Sequence, residues 1–256
     1  MTVLESLIIA LSMYSAIPMP QVEWQEKNMR WSLLFLPIVG LIISVFIGVW
    51  YYLCDSTQAN RVFFAVVATL LPIFISGGFH MDGFLDAADA VFSRRDRERR
   101  LEIMKDPHCG PFAVVCCGAL WLITAGSWCQ LLESRTLMPL ACSVFICSRA
   151  LTVCIGSKMP YASTSRLGIL FAERAHSGVF AAGIVQLAIV AAALVFIQKN
   201  LAAVSVFAVV SLLLVWLFCR GVKRTFGGVT GDLLGFFIQL YEGVTLTSLA
   251  VLSLMI

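Results

Sequence analysis

Asp82, Asp86 and Asp89 stand at i, i+4 and i+7 within Gly-Gly-Phe-His-Met-Asp-Gly-Phe-Leu-Asp-Ala-Ala-Asp, residues 77–89. On a helix that spacing projects three carboxylates from one face. Like charges so arranged repel, and near a membrane each is costly, so fold stability gains nothing from the stripe. A hard divalent cation gains from it, because Mg²⁺ takes carboxylate oxygens together with substrate phosphates. The stripe therefore points to metal-dependent chemistry at a membrane boundary. His80, two residues before Asp82, could act as a general base, orient a carboxylate or hydrogen-bond a helix end.

A second polar constellation is Gly227-Gly228-Val229-Thr230-Gly231-Asp232-Leu233-Leu234-Gly235. A glycine-rich turn entering a helix offers backbone N–H groups to an anion, which makes Gly227, Gly228, Thr230 and Gly231 candidates for substrate contact. Asp232 at the helix entrance reads equally as a plain cap. Glu242 lies about 15 Å further along the same helix, and a carboxylate at that depth is a functional candidate. Arg149 is the natural counter-charge for these acids or for a phosphate. Lys105-Asp106 run into Pro107 and Gly110, a turn that could present Lys105 to a phosphate. Between 94 and 106 the mixed charges suit a short amphipathic helix at headgroup level, with Leu101 and Met104 facing inward. Arg94, Arg95 and Arg97 there read as a positive-inside anchor on anionic lipid. For Arg166, Arg174, Arg220, Lys223 and Arg224, a solvated loop explains the charge as well as substrate binding does.

The elements that must position these groups are hydrophobic. Of 256 residues, 60% are hydrophobic and 13% charged, with a mean hydropathy of +0.91, which excludes a soluble domain of this size. The chain reads as a single all-α integral membrane domain over 1–256, a polytopic helical bundle in the lipid bilayer. Seven apolar stretches, at 31–54, 61–79, 110–132, 137–157, 177–197, 201–219 and 232–256, each approach the roughly 20 residues needed to cross. The stretch Val3–Ile17 is short, carries Glu5 and lacks a basic flank and a cleavage site. It reads as an interfacial or re-entrant helix rather than a signal peptide, with a full eighth span as the competitor.

With seven spans, segments 20–30, 80–109, 158–176 and 220–231 share one side and hold 14 of the 18 Lys and Arg residues. Basic residues mark the cytoplasmic face, so the acidic segment 77–109 and the turn 220–235 are expected on the cytosolic side of the cell membrane. A net charge of +3 and the lack of a basic, aromatic-interleaved groove argue against nucleic acid. The nine cysteines form no C-x-x-C pair and most lie in apolar segments, as small core residues do. The sequence leaves room for a homo-oligomer.

G-G-x-H-x-D-G-x-x-D-x-x-D (77–89), L-E-I-M-K-D-x-x-x-G (101–110) and G-G-V-T-G-D-L-L-G (227–235) with Glu242 together resemble the cobalamin synthase family, also called adenosylcobinamide-GDP ribazoletransferases. Ile17-Pro18-Met19-Pro20 and Ser148-Arg149-Ala150 look like the family too. The resemblance implies an Mg²⁺-dependent transfer that joins adenosylcobinamide-GDP to α-ribazole, or to its 5′-phosphate, with loss of GMP. It implies Asp82, Asp86 and Asp89 as metal ligands and catalytic residues, Asp232 as a further ligand, and Lys105 and Arg149 on phosphates, with His80 or an aspartate as the base. Asp106, the glycine-rich turn and Glu242 complete the expected substrate site. Ala90, Phe236 and Gln239 depart from the family pattern, and Gln239 in place of a common Glu weakens the case for a ligand at position 239.

Two other readings compete. A CDP-alcohol phosphotransferase also uses helix-borne aspartates, but its D-x-x-D-G-x-x-A-R…G-x-x-x-D-x-x-x-D motif is absent. A divalent-cation or organic-ion transporter would place carboxylates at the bilayer midplane on broken helices, whereas this stripe falls at the margin.

Overall fold

The computed structural model describes residues 2–23, 25–162, 177–198 and 200–255. Arg166 and Arg174 lie outside them. The described chain is helical except for turns and one isolated bridge, Tyr161 to Val229. In order it forms α1 (Thr2–Tyr14), α2 (Glu26–Ser32), α3 (Leu36–Thr57, entered through a 3₁₀ turn Leu33–Phe35), α4 (Arg61–Ser76), α5 (Phe79–Phe92) and α6 (Arg97–Ile103). There follow α7 (Pro111–Leu131), α8 (Met138–Lys158), α9 (Ser177–Ile197), α10 (Leu201–Thr225) and α11 (Gly231–Leu252).

Among the described residues six helices are long and apolar enough to cross a membrane: α3, α7, α8, α9, α10 and α11. The remaining expected crossing, 61–79, is α4. It ends at Ser76 and meets α5 at 98°. Gly77 and Gly78 make that corner with φ of +64° and +77°, a conformation that costs a residue with a Cβ. The chain after α1 latches onto the corner, where the Ala16 N–H donates to the Ile75 carbonyl at 2.8 Å. The bend turns the polar segment 80–92 away from the line of α4, which is how one apolar run can lead into an acidic helix.

At 13 residues α1 extends about 20 Å, short of the roughly 30 Å of hydrocarbon, as expected for a non-spanning element. Its acid is partnered, since Asn28 Nδ2 of α2 donates to Glu5 Oε2 at 2.7 Å.

The bundle is built on α8 and α11, which lie mostly inside, while α9 and α10 face mostly outward. Phe196, Leu212 and Leu122 are among the exposed apolar side chains, a surface suited to lipid. Small residues bring the inner helices close. A Cβ on Gly40 of α3 would overlap the Phe145 carbonyl of α8, and Ser44 Oγ donates to the Cys142 carbonyl at 2.6 Å. At the end of the bundle away from α5, Arg135 pairs with Asp55 at 3.1 Å and Arg61 pairs with Glu133. All nine cysteines are free. The amphipathic helix expected within 94–106 is α6, with Met104 buried at its end.

Candidate active site

The acidic face forms where α5 crosses the start of α11, the most extensive helix contact in the molecule. Gly83 is what allows it. A Cβ there would sit 2.8 Å from both Cα and the carbonyl oxygen of Asp232, so the two backbones touch. Gly235 does the same from the other helix, its Cβ position lying 3.1 Å from the His80 carbonyl. Two glycines thus hold Asp232 beside the helix that carries Asp82 and Asp86. The packing is completed by Phe84 and Phe236, stacked with ring centroids 5.2 Å apart.

The electrostatics follow from this crowding. Asp86 is pushed up to about 6, first by burial and then by the negative charges of Asp82, Asp232 and Asp89. Among the described residues no cationic side chain or backbone N–H takes up the carboxylate oxygens of Asp82 or Asp86. Asp82 is exposed and Asp86 partly so, so their oxygens remain available to a ligand.

Asp89 is placed differently from the expectation. Its two oxygens accept N–H groups of Gly110 at 2.5 Å and Ala113 at 2.9 Å, and it serves as the cap that α7 lacks from its own Gly110-Pro111 start. Gly110 has no room for a side chain because the Asp89 carboxylate occupies that space. Among the described residues no group of three or more His, Cys, Asp or Glu side chains closes around a single metal position. Of the four aspartates expected as ligands, Asp89 is engaged with backbone N–H groups, while Asp82, Asp86 and Asp232 lie close enough for their charges to act on one another.

His80 is 2% exposed, and its Nδ1 has no partner among the described residues. Its ring stacks on Tyr14 at 6.4 Å and meets Phe79 edge-on, so it is turned inward rather than bonded to a carboxylate. Arg149 and Glu242 also sit away from the site surface. Arg149 is fully buried, and its Nη1 donates to Glu242 Oε1 at 2.6 Å and to the Phe145 carbonyl at 3.0 Å. Ser148 Oγ donates to the same Glu242 oxygen at 2.8 Å. Inside an apolar bundle neither charge is tolerable alone, whereas together they neutralise each other. The pair joins α8 to α11, while Nε and Nη2 of Arg149 find no partner among the described residues.

The glycine-rich turn divides in two. Gly228 is buried against Pro160 and Ala162, where Val229 N–H donates to the Pro160 carbonyl and Ala162 N–H to the Val229 carbonyl. Thr230 is buried and its Oγ1 accepts from Leu233 N–H as the α11 cap. These two residues build the turn, which differs from the expected substrate contact. Gly231, with open space where a Cβ would be, is the exposed part, whereas Gly227, with φ of +79°, is half-buried beneath the Arg97 guanidinium.

Lys105 is exposed, with no side-chain partner among the described residues. Asp106 accepts from the backbone N–H of His108 at 3.0 Å and lies 2.7 Å from its Nδ1. Asp106, Asp89, Arg95, His108 and Phe112 border an open cavity of about 410 Å³ beside the acidic helix. Sequence reasoning missed Arg95 and His108 here, since nothing in their spacing announces a shared cavity.

The chain as a whole matches known proteins. A family profile described as Cobalamin-5-phosphate synthase covers residues 6–250. An adenosylcobinamide-GDP ribazoletransferase of Lachnoclostridium phytofermentans is 34% identical over 92% of this chain and 89% of its own length. A protein of the same name from Clostridium botulinum strain Alaska E43 is 30% identical over 95% and 96%, and one from Geobacillus kaustophilus is 31% identical over 91% and 90%. No solved structure matches. The matched region contains α5, the Asp82–Asp86 face and the glycine-held crossing with Asp232, and the chain belongs to the cobalamin-5-phosphate synthase family.

Proposed function

We propose that the protein joins adenosylcobinamide-GDP to α-ribazole, or to its 5′-phosphate, and releases GMP. The observation that carries this reading, beside the family, is the crossing of α5 and α11. It gathers Asp82, Asp86 and Asp232 and leaves the oxygens of the first two without a partner among the described residues. Carboxylates without protein counter-charges suit Mg²⁺, which typically uses one or two of them together with substrate phosphates and water. An incomplete protein cage is what such a cation requires. When bound, Mg²⁺ would neutralise the diphosphate and stabilise charge on the departing phosphate.

In the transfer, a ribose hydroxyl of the ribazole forms a new O–P bond to the phosphorus on the cobinamide side. The P–O bond to the GMP phosphate breaks, and its electron pair leaves with GMP. The hydroxyl proton passes to a carboxylate of the α5 face, a better-placed acceptor than His80, which is turned towards Tyr14. Asp82 and Asp86 would hold the cation, and Asp232 would close the acidic face. Lys105 and Gly231, both exposed, are the groups we assign to the substrate phosphates. The excess of Lys and Arg on the α5 side supports placing this site in the cytosol, with the bundle in the cytoplasmic membrane.

The test is GMP release by purified protein in liposomes supplied with both substrates, with and without Mg²⁺. Metal-dependent release that is abolished in Asp82→Ala and in Asp86→Ala, with both variants still folded, is the expected result. Retained turnover in either variant overturns the assignment.

A further inference from the structure

The loop before and along α6 carries five arginines, and their surroundings are not alike. Arg99 pairs with Glu102 at 2.7 Å, and Arg100 Nε donates to the Arg95 carbonyl at 2.7 Å. Arg94 makes a left-handed turn at φ +55°, and Arg95 borders the open cavity. Arg97 reaches across to another part of the chain. Its guanidinium lies over Gly227 so closely that a Cβ at that position would overlap it. It makes no ion pair or hydrogen bond among the described residues, although Asp232 stands only five residues beyond Gly227 and the acidic face of α5 adjoins Asp232.

A free cation beside a crowded acidic site would ordinarily be consumed by one of its carboxylates. Here it pairs with none of them among the described residues and occupies the space that the missing Cβ of Gly227 leaves. A polyanion can span such an arrangement, meeting the cation-loaded carboxylates at one part and the guanidinium at another. We propose, resting on the function above, that Arg97 is a substrate-contacting residue that binds the diphosphate of the nucleotide-linked substrate over Gly227. The planar guanidinium offers paired N–H donors that match two phosphate oxygens. A lysine supplies the charge without that fork. As GMP departs, negative charge grows on its phosphate, and a donor already in place stabilises it. Arg99 of the same helix is exposed as well, but it is turned to Glu102 and serves as the comparison for a purely surface charge.

The experiment compares wild type, Arg97→Ala, Arg97→Lys and Arg99→Ala in liposomes of fixed and of raised anionic-lipid content. Wild-type GMP release is established first, and its absence counts against the proposed function rather than against Arg97. With release in hand, Arg97→Ala is expected to lower kcat/KM for adenosylcobinamide-GDP by about 100-fold, the scale of one lost transition-state donor. The KM for α-ribazole stays unchanged, Arg97→Lys recovers part of the loss, and Arg99→Ala stays within about twofold, as rim charges do. Direct binding of GDP, measured without turnover, weakens in Arg97→Ala. Wild-type kcat/KM or wild-type GDP binding in Arg97→Ala overturns the proposal. So does a defect shared by Arg99→Ala and removed by added anionic lipid, which would assign Arg97 to headgroups.

Discussion

Replacing Gly83 by alanine tests whether the α5–α11 contact sets the reactive geometry. The new methyl carbon would stand 2.8 Å from two backbone atoms of Asp232, whereas ordinary contact begins at 3.4–4 Å. Neither obstacle is a flexible side chain, so one helix must move by about 1 Å, and that displacement falls on Asp232 relative to Asp82 and Asp86. Overpacking of this kind costs about 1–3 kcal/mol of stability, which lowers Tm and leaves folded protein. A misplacement of about 1 Å in a reacting constellation costs on the order of 100-fold in rate. The assay is GMP release in liposomes against Mg²⁺ concentration, alongside thermal unfolding of the same preparation. Gly118→Ala is the control, because nothing lies within 4 Å of a Cβ on that outward-facing glycine, and it should behave as wild type. If Gly83→Ala keeps wild-type turnover while Tm falls, the separation of α5 and α11 does not govern the chemistry, and the role given to Asp232 fails with it.

Three further outcomes follow from the same geometry. Removing charge at Asp86 by Asp86→Asn should raise the Tm of the metal-free protein, whereas Asp89→Ala should lower stability by about 1–2 kcal/mol, as loss of a helix cap does; thermal unfolding in a chelator separates the two roles. Asp86, raised by burial and its acidic neighbours to about 6, keeps its proton in the folded state over a range where the unfolded chain has lost it. Stability of the metal-free protein should therefore fall as pH rises from about 4 to 6, and the apparent Mg²⁺ affinity should weaken as pH drops below about 6, both flattened in Asp86→Asn when titrated at several pH values. Breaking the buried pair by Arg149→Met or Glu242→Leu alone should cost about 3–5 kcal/mol, with most of it restored in the double variant, read as folded yield and Tm; a double variant that folds well yet transfers nothing would place the pair in the chemistry instead of the scaffold.

Much of the fold could be read from the lengths of the apolar runs, because a bilayer demands continuous helices and their backbone satisfies itself locally. The exception is instructive. The run 61–79 has the length of a span, but Gly77 and Gly78 end α4 three residues early and send α5 off at 98°. Two adjacent glycines are the only local signal, and glycines serve equally well as packing surfaces in membrane helices. The acidic face was legible through its i, i+4, i+7 period, since that is a property of one helix. The fate of Asp89 was not, because it depends on where α7 begins, 21 residues away at Gly110. Arg149 and Glu242 were each conspicuous as charges in apolar segments. Their pairing across 93 residues could have been inferred from the fact that neither is affordable alone. Arg97 offered no such hint, as its meaning comes from crossing to Gly227.

The arrangement of charges explains why these contacts are distributed as they are. Deep in the bundle, Arg149 satisfies Glu242 and the result is a neutral strut between α8 and α11. At the outer end, Asp89 is satisfied by backbone N–H groups that fasten α7 to α5. Among the described residues Asp82 and Asp86 are satisfied by neither device, although arginines are abundant in the loop that follows them. Had one of those arginines paired with them, the acidic face would be more stable and the carboxylate oxygens would already be taken up. What holds the repelling acids in place is therefore backbone packing at Gly83 and Gly235, a restraint that consumes no oxygen lone pairs. Under the function proposed above, a site fixed by packing and left unneutralised would keep its unsatisfied charge for a cation and a phosphorylated substrate, and relief of that repulsion would contribute to their binding.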